Sequence, residues 1–178
     1  MLPATLRTSR LILREPRPAD AAIIFDSYAQ DRLVTKYLVW KPHTKLADVE
    51  AFIAECIHAR TNGVRYPYVL AMQETEDLPI GMLEYKRIAR HQLNLGYVLA
   101  RKYWGQGLMP EAVRKLADEA LAIPSIFRLQ ATCDVDNGPS ARTLEKAGFV
   151  REGLLARHTL HPNVSPEPRS CYLYARHK

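Results

Sequence analysis

The chain has 178 residues, enough for one domain with a buried core, and 47% of them are hydrophobic. A formal net charge of +6 invites a nucleic-acid reading, but the 25 Lys and Arg residues are dispersed, with no dense basic block and no interleaved aromatic stripe. Cys56, Cys133 and Cys171 are too widely spaced for a disulfide framework or a zinc knuckle, so a reducing cytoplasm is expected; no run approaches the roughly 20 apolar residues that span a bilayer, so no membrane partner is expected.

In chain order, Leu11-Ile12-Leu13 between Arg10 and Arg14 predicts a short first strand, stopped by Pro16 and Pro18. Pro18 can open a helix over residues 18–30, whose apolar positions Ala22, Ile23, Phe25 and Ala29 are imperfectly periodic. The segment 34–43 carries Tyr37, Trp40 and Pro42. It leads into a clearer helix with Leu46, Val49, Phe52, Ile53, Cys56 and Ile57 on one stripe and Gly63 as its stop. Tyr66 to Gln73, Ile80 to Ile88 and Gln92 to Ala100 then predict three antiparallel strands, with turns at Glu76-Asp77-Leu78-Pro79 and Ala89-Arg90.

The last of these strands feeds Gly105-Gln106-Gly107, and Pro110 and Glu111 suit the first turn of a helix beginning near Met109. Ala112, Val113, Leu116, Ala117, Ala120 and Leu121 fall on one face of it, and Pro124 limits it. A glycine turn feeding a helix start collects unpaired N–H donors and partial positive charge, which suits a phosphate; a tight strand-to-helix connection fits the same letters. No Lys-Ser or Lys-Thr follows the second glycine and no third glycine is present, which excludes a P-loop and a dinucleotide fingerprint. Arg128 to Cys133 predicts another strand, Asn137-Gly138-Pro139 starts a second helix that Gly148 ends, and Phe149 to Leu155 and Ser170 to Ala175 close the sheet around the proline-rich loop 161–168. The order indicates a single α+β domain over residues 1–178, a mixed, mostly antiparallel sheet with helices on its faces.

Lys102-Tyr103-Trp104-Gly105-Gln106-Gly107 resembles the pyrophosphate loop of the GNAT superfamily of acetyl-CoA-dependent N-acetyltransferases, apart from Lys102 where Gln or Arg is usual. A second matching element runs from Asp134 through Asn137, Ser140, Leu144, Glu145 and Lys146 to Gly148-Phe149. With Arg10-Leu11-Ile12-Leu13-Arg14, the wording is similar to the branch of Rim-type ribosomal-protein N-terminal acetyltransferases.

The resemblance implies the GNAT fold, acetyl-CoA as co-substrate and no metal. It implies transfer to a primary amine by direct attack in a ternary complex, the acceptor being a protein N-terminus or a small amine. It places Tyr97, Val98 and Leu99 along the pantetheine arm. Gly105, Gln106, Gly107, Leu108 and Met109 fall on the pyrophosphate, with Arg101 or Lys102 beside them.

Asn137 falls beside the pantetheine or serves as a simple helix cap, and Arg142 is either a phosphate contact or part of a solvated face. Leu144 stands where many relatives carry a tyrosine acid, which leaves Ser140 as the thiolate's proton donor or as an ordinary first-turn residue. Glu84, a carboxylate in an apolar sheet, is the candidate base unless it points outward, and Tyr37 and Trp40 are candidate acceptor aromatics or core residues.

His91, His158 and His161 have no ligand spacing. Ser170 replaces the Asp often found after the residue matching Arg169. Lys102 and Leu144 keep open a non-catalytic CoA-binding module, and a homodimer is left open.

Overall fold

The computed structural model describes residues 2–178. Strands β1 (Thr5–Arg7) and β2 (Leu11–Arg14) form a hairpin, followed by α1 (Asp20–Ile24), a π-helical turn over Phe25–Ala29, α2 (Arg32–Thr35) and α3 (Leu46–Thr61). Then come β3 (Arg65–Met72), β4 (Gly81–Ala89), β5 (Gln92–Leu99), α4 (Leu108–Ala122), β6 (Arg128–Asp134), α5 (Gly138–Lys146), β7 (Val150–Thr159) and β8 (Arg169–His177). One sheet of eight strands results, in the order β1-β2-β3-β4-β5-β6-β8-β7. Every neighbouring pair is antiparallel except β5 and β6.

Side chains alternate along these strands, so each face of the sheet makes its own core. On one face Leu11, Leu13, Tyr68, Leu70, Leu83, Leu93 and Leu129 pack under α4 and α5. The alanines of α4 let it lie close to the sheet: Ala112, Val113, Leu116, Ala117 and Ala120 are all fully buried. On the other face Val69, Met82 and Ala100 pack against Ala21, Ile24, Tyr28, Val34, Val49, Ile53 and Cys56 from the first three helices.

Two expectations change here. The helix expected over 18–30 splits at the π turn, which inserts a residue into the helical repeat and carries Tyr28 and Ala29 into the core; that insertion is why the apolar spacing reads as imperfect. In α3 only Val49, Ile53 and Cys56 are buried, while Leu46, Phe52 and Ile57 remain partly open, because a helix lying across a sheet covers a narrow stripe.

A buried ion pair fixes α1 to the sheet. Arg14 of β2 donates to both carboxylate oxygens of Asp20, at 2.9 Å and 2.6 Å, and both side chains are 3% exposed. Removing one partner strands a buried charge, at a cost of about 3–5 kcal/mol.

Candidate active site

The site begins where the sheet fails to close. β5 and β6 pair only over Gln92–Asn94 against Arg128–Gln130. Beyond that, β5 stays with β4 as far as Leu99 and β6 stays with β8 as far as Asp134, so the two strands diverge and a wedge opens between them. Gly81 holds β4 tightly to β5 at the open end, since a Cβ there would lie 2.4 Å from the Val98 carbonyl oxygen. The Ala100 N–H bonds the Ile80 carbonyl on the β4 side at 2.8 Å. Alternation therefore turns the main chain of Val98 toward β4, and that of Tyr97 and Leu99 into the wedge. The Leu99 carbonyl accepts from Trp104 Nε1 at 2.7 Å, which folds the indole back over the strand end.

After a short helical turn at Arg101–Tyr103 comes the glycine loop. Gly105 and Gly107 have φ of 75° and 73°, in the left-handed region where a Cβ is strained. A Cβ on Gly105 would meet nothing within 4 Å, so backbone conformation rather than crowding demands glycine there. Gly107 is the N-cap of α4 and supplies no side-chain cap. The first-turn N–H groups of Leu108 and Met109 have no carbonyl a turn behind them, and they sit at the positive end of a helix of 15 residues. That is a cradle for an anion.

Arg10, beside β2, braces the loop. Its Nη1 donates to the Gln106 carbonyl at 2.9 Å and its Nη2 lies 2.6 Å from Glu111 Oε2. Burial disfavours the Glu111 anion, but hydrogen bonds from Thr8, Arg10 and Ser9 hold its carboxyl below the usual range, so it stays charged. Lys102 turns to the Tyr103 ring, 5.6 Å from its centroid, and its carbonyl accepts from Gln106 Nε2 at 3.1 Å. Arg101, the other cation expected beside the loop, donates Nε at 2.9 Å to Asp31, the carboxylate that caps α2.

Across the wedge, α5 begins differently. Asn137 Oδ1 accepts from the Ser140 N–H at 3.2 Å, so Asn137 is a helix cap. The Arg142 guanidinium folds back over Gly138, where an added Cβ would lie 3.2 Å from Nη1. Ser140 Oγ is 2.8 Å from the Tyr97 hydroxyl, and that hydroxyl also reaches the Ser140 carbonyl at 3.2 Å. Tyr97 therefore bridges the two diverging elements. Burial pushes its phenol well above the ordinary value, so it stays protonated. Burial likewise pushes the neighbouring Cys133 thiol up to about 11, which leaves it un-ionised at neutral pH.

Glu84, the candidate base, is held by an arginine. Arg65 Nε and Nη2 lie 2.9 Å and 2.8 Å from its Oε2, and Arg65 also holds Glu55. Glu84 lines a cavity of about 590 Å³ beside the end of α3, with Glu55, Arg65 and Lys86.

Tyr37 and Trp40 lie on the connection between α2 and α3, Tyr37 beneath the Lys36 ammonium at 4.9 Å and Trp40 stacked on His43 with centroids 5.0 Å apart. Asn163, which the sequence did not single out, ties the loop between β7 and β8 to this segment. Its Nδ2 donates to the carbonyls of Thr35 and Trp40, each at 2.7 Å. Among the described residues no group of three or more His, Cys, Asp or Glu could hold a metal ion. Among the described residues no helix is long and apolar enough to cross a membrane.

A sheet split beside a glycine-started helix, with a hydroxyl donor on the opposing helix, defines an acyl-CoA-type N-acyltransferase. The model of the acetyltransferase (GNAT) domain matches residues 10–150, and the chain belongs to the GNAT family of N-acetyltransferases. It is 31% identical over 153 residues to the uncharacterized N-acetyltransferase p20 of Bacillus licheniformis, covering 85% of each chain. It is 27% identical over 156 residues to the ribosomal protein uS5-alanine N-acetyltransferase of Escherichia coli (strain K12), covering 83% of this chain and 79% of that one. Among solved structures, the microcin C7 self-immunity acetyltransferase MccE, in complex with acetyl-CoA and AMP, superposes with a TM-score of 0.87 at 21% identity, covering 99% of this chain and 97% of that one. RimL, the ribosomal L7/L12 alpha-N-protein acetyltransferase, in complex with coenzyme A, gives 0.85 at 20% identity with coverage of 99% and 97%. The fold is the GNAT fold, as the sequence resemblance implies.

Proposed function

We propose that residues 1–178 act as one catalytic domain that holds acetyl-CoA in the wedge and passes its acetyl group directly to a primary amine bound from the side of Tyr37 and Trp40. The observation that carries this reading is the divergence of β5 from β6 next to an α4 start whose donors have no protein cap. Acetyl-CoA fits both features: its pantetheine arm is an extended amide chain that can pair with the wedge-facing main chain of Tyr97 and the N–H of Leu99, and its pyrophosphate is an anion for Gly105, Gln106, Gly107, Leu108 and Met109. When bound it supplies the activated acetyl thioester.

The chain's residues supply the rest. A main-chain N–H of β5 facing the wedge polarises the acetyl carbonyl and holds the oxyanion that forms on it. Ser140 gives its proton to the departing thiolate and takes up the one the amine adduct loses, while the Tyr97 hydroxyl holds Ser140 Oγ in place across the 2.8 Å contact. Leu144, fully buried in the core, leaves Ser140 as the proton donor on α5.

The acceptor is a protein N-terminus or a small amine. The uS5-alanine and L7/L12 acetyltransferases among the similar proteins support the first, and a spermidine N-acetyltransferase of Vibrio cholerae, with a TM-score of 0.78 at 18% identity, is the counterpart for the second. CoA thiol release, measured with N-terminal peptides, polyamines, amino acids and aminoglycosides, tests the reading. Release with one class establishes the enzyme and its acceptor; tight acetyl-CoA binding without release from any class would favour a CoA-sensing module.

A further inference from the structure

Glu84 is tied to Arg65, and a second cluster places a histidine nearer the wedge. At the wedge end of β6, Asp134 has a fully buried side chain. Arg169 Nε and Nη2 donate to it at 2.6 Å and 3.0 Å, and the Asp136 N–H donates at 2.9 Å. Over it lies His161, 5% exposed, with Nε2 3.8 Å from Asp134 Oδ2 and 3.7 Å from Cys171 Sγ. Its other ring nitrogen, Nδ1, is buried and has no hydrogen-bond partner among the described residues. A buried polar atom left in that state is costly, which marks it as a place where a ligand's donor completes the structure.

The position of His161 gives that vacancy a meaning. Two residues further on, Asn163 fastens the same loop to the carbonyls of Thr35 and Trp40. His161 therefore lies between the last residue of the wedge strand β6 and the aromatic segment on which an acceptor would arrive.

We propose that His161 is a catalytic residue that receives the proton of the acceptor ammonium, an inference that rests on the acetyl-transfer reading above. The carboxylate beside Nε2 favours the tautomer with its proton there, which leaves the Nδ1 lone pair free. An acceptor R–NH3+ passes one proton to Nδ1, giving R–NH2 and an imidazolium. The amine lone pair forms the C–N bond, the C–S bond breaks, and the remaining ammonium proton of the adduct balances the thiolate through Ser140. The products are the acetamide, CoA thiol and one proton held by His161 for release to solvent.

The charged and titratable groups that face His161 are Asp134 from β6 and Cys171 and Arg169 from β8, with Asp136 bonded to the outer side of Arg169. Burial disfavours the Asp134 anion, but Arg169 and the Asp136 N–H together hold its carboxyl below the usual range, and burial pushes the Cys171 thiol up. Around His161 there therefore stand two carboxylates, one guanidinium and a neutral thiol.

The test is His161→Gln, which keeps a polar side chain but cannot take up a proton. Acetyl-CoA binding should be unchanged. The kcat/KM for the amine should fall about 100-fold near neutral pH. The wild-type kcat/KM should depend on pH less steeply than that of the variant, which should climb tenfold per pH unit with the ionisation of the amine itself. A folded variant with the wild-type rate and profile would overturn the proposal.

Should the variant not fold, the His161 ring resonances of the wild-type protein, followed by NMR during a titration with the acceptor amine, decide the matter. They should move when the amine is added; a ring that does not respond would overturn it. CoA release that does not depend on His161 would sink this inference alone, whereas no release by the wild type with any acceptor would sink the transfer reading and this inference with it.

Discussion

Two helices start at the edges of the wedge, and they start in opposite ways. α4 begins on Gly107, which has no side chain to offer, so its first N–H groups remain available. α5 begins on Asn137, whose Oδ1 takes the Ser140 N–H. An uncapped start beside open space is a binding surface for an anion, while a capped start is a rigid mount for a side chain. In the proposed function the first holds the nucleotide end of the cofactor and the second aims Ser140 at its sulfur. The same piece of backbone geometry serves two purposes according to one residue, glycine or asparagine.

Substitutions can break this contrast, and the largest effect is expected at α4. Gly107→Glu sets a carboxylate in the anion cradle and a Cβ at φ 73°, and should weaken acetyl-CoA binding more than 100-fold, or about 2.7 kcal/mol by calorimetric titration. Ser140→Ala should lower kcat by about 100-fold while the acetyl-CoA Kd stays nearly the same, read from steady-state kinetics beside titration. Tyr97→Phe removes the hydroxyl that orients Ser140 in the proposed function, and should lower kcat by about tenfold, again without a change in Kd. The smallest effect is expected from Asn137→Ala. It removes the cap for about 1 kcal/mol of stability and a few degrees of Tm, leaving acetyl-CoA affinity close to that of the parent. A large loss of affinity in Asn137→Ala would show that Asn137 contacts the cofactor and is more than a cap.

The glycine loop was legible because its signals are local. Positive φ at Gly105 and Gly107, Pro110 in the first turn and the apolar stripe of α4 are each written within a few residues of where they act. The hairpin strands were legible for the same reason, within a residue or two at their ends. The wedge was not, because it is an absence of pairing between Leu95–Leu99 and Ala131–Asp134, and nothing in either strand's letters says that its neighbour will leave. The partners of Glu84 and Arg101 were hidden too: Arg65 is 19 positions from the first and Asp31 is 70 from the second, so only the folded chain shows that both charges are already committed. β1 and α2 were missed because they are three and four residues long, too short for periodicity to register. His161 and Asn163 sit in a proline-rich loop with no repeat to mark them. Their signal is a buried, unpartnered ring nitrogen and two carbonyl contacts more than 120 positions away in sequence.

The account's central claim is that acetyl-CoA is held by the uncapped start of α4 and not by the capped start of α5. Amide resonances followed by 1H–15N NMR during an acetyl-CoA titration test this most directly. The account predicts that the N–H signals of Gly105, Gln106, Gly107, Leu108 and Met109 shift strongly toward the positions of hydrogen-bonded amides, while the Ser140 N–H, already bonded to Asn137, moves little. Saturable binding that leaves the Leu108 and Met109 amides where they were would contradict it.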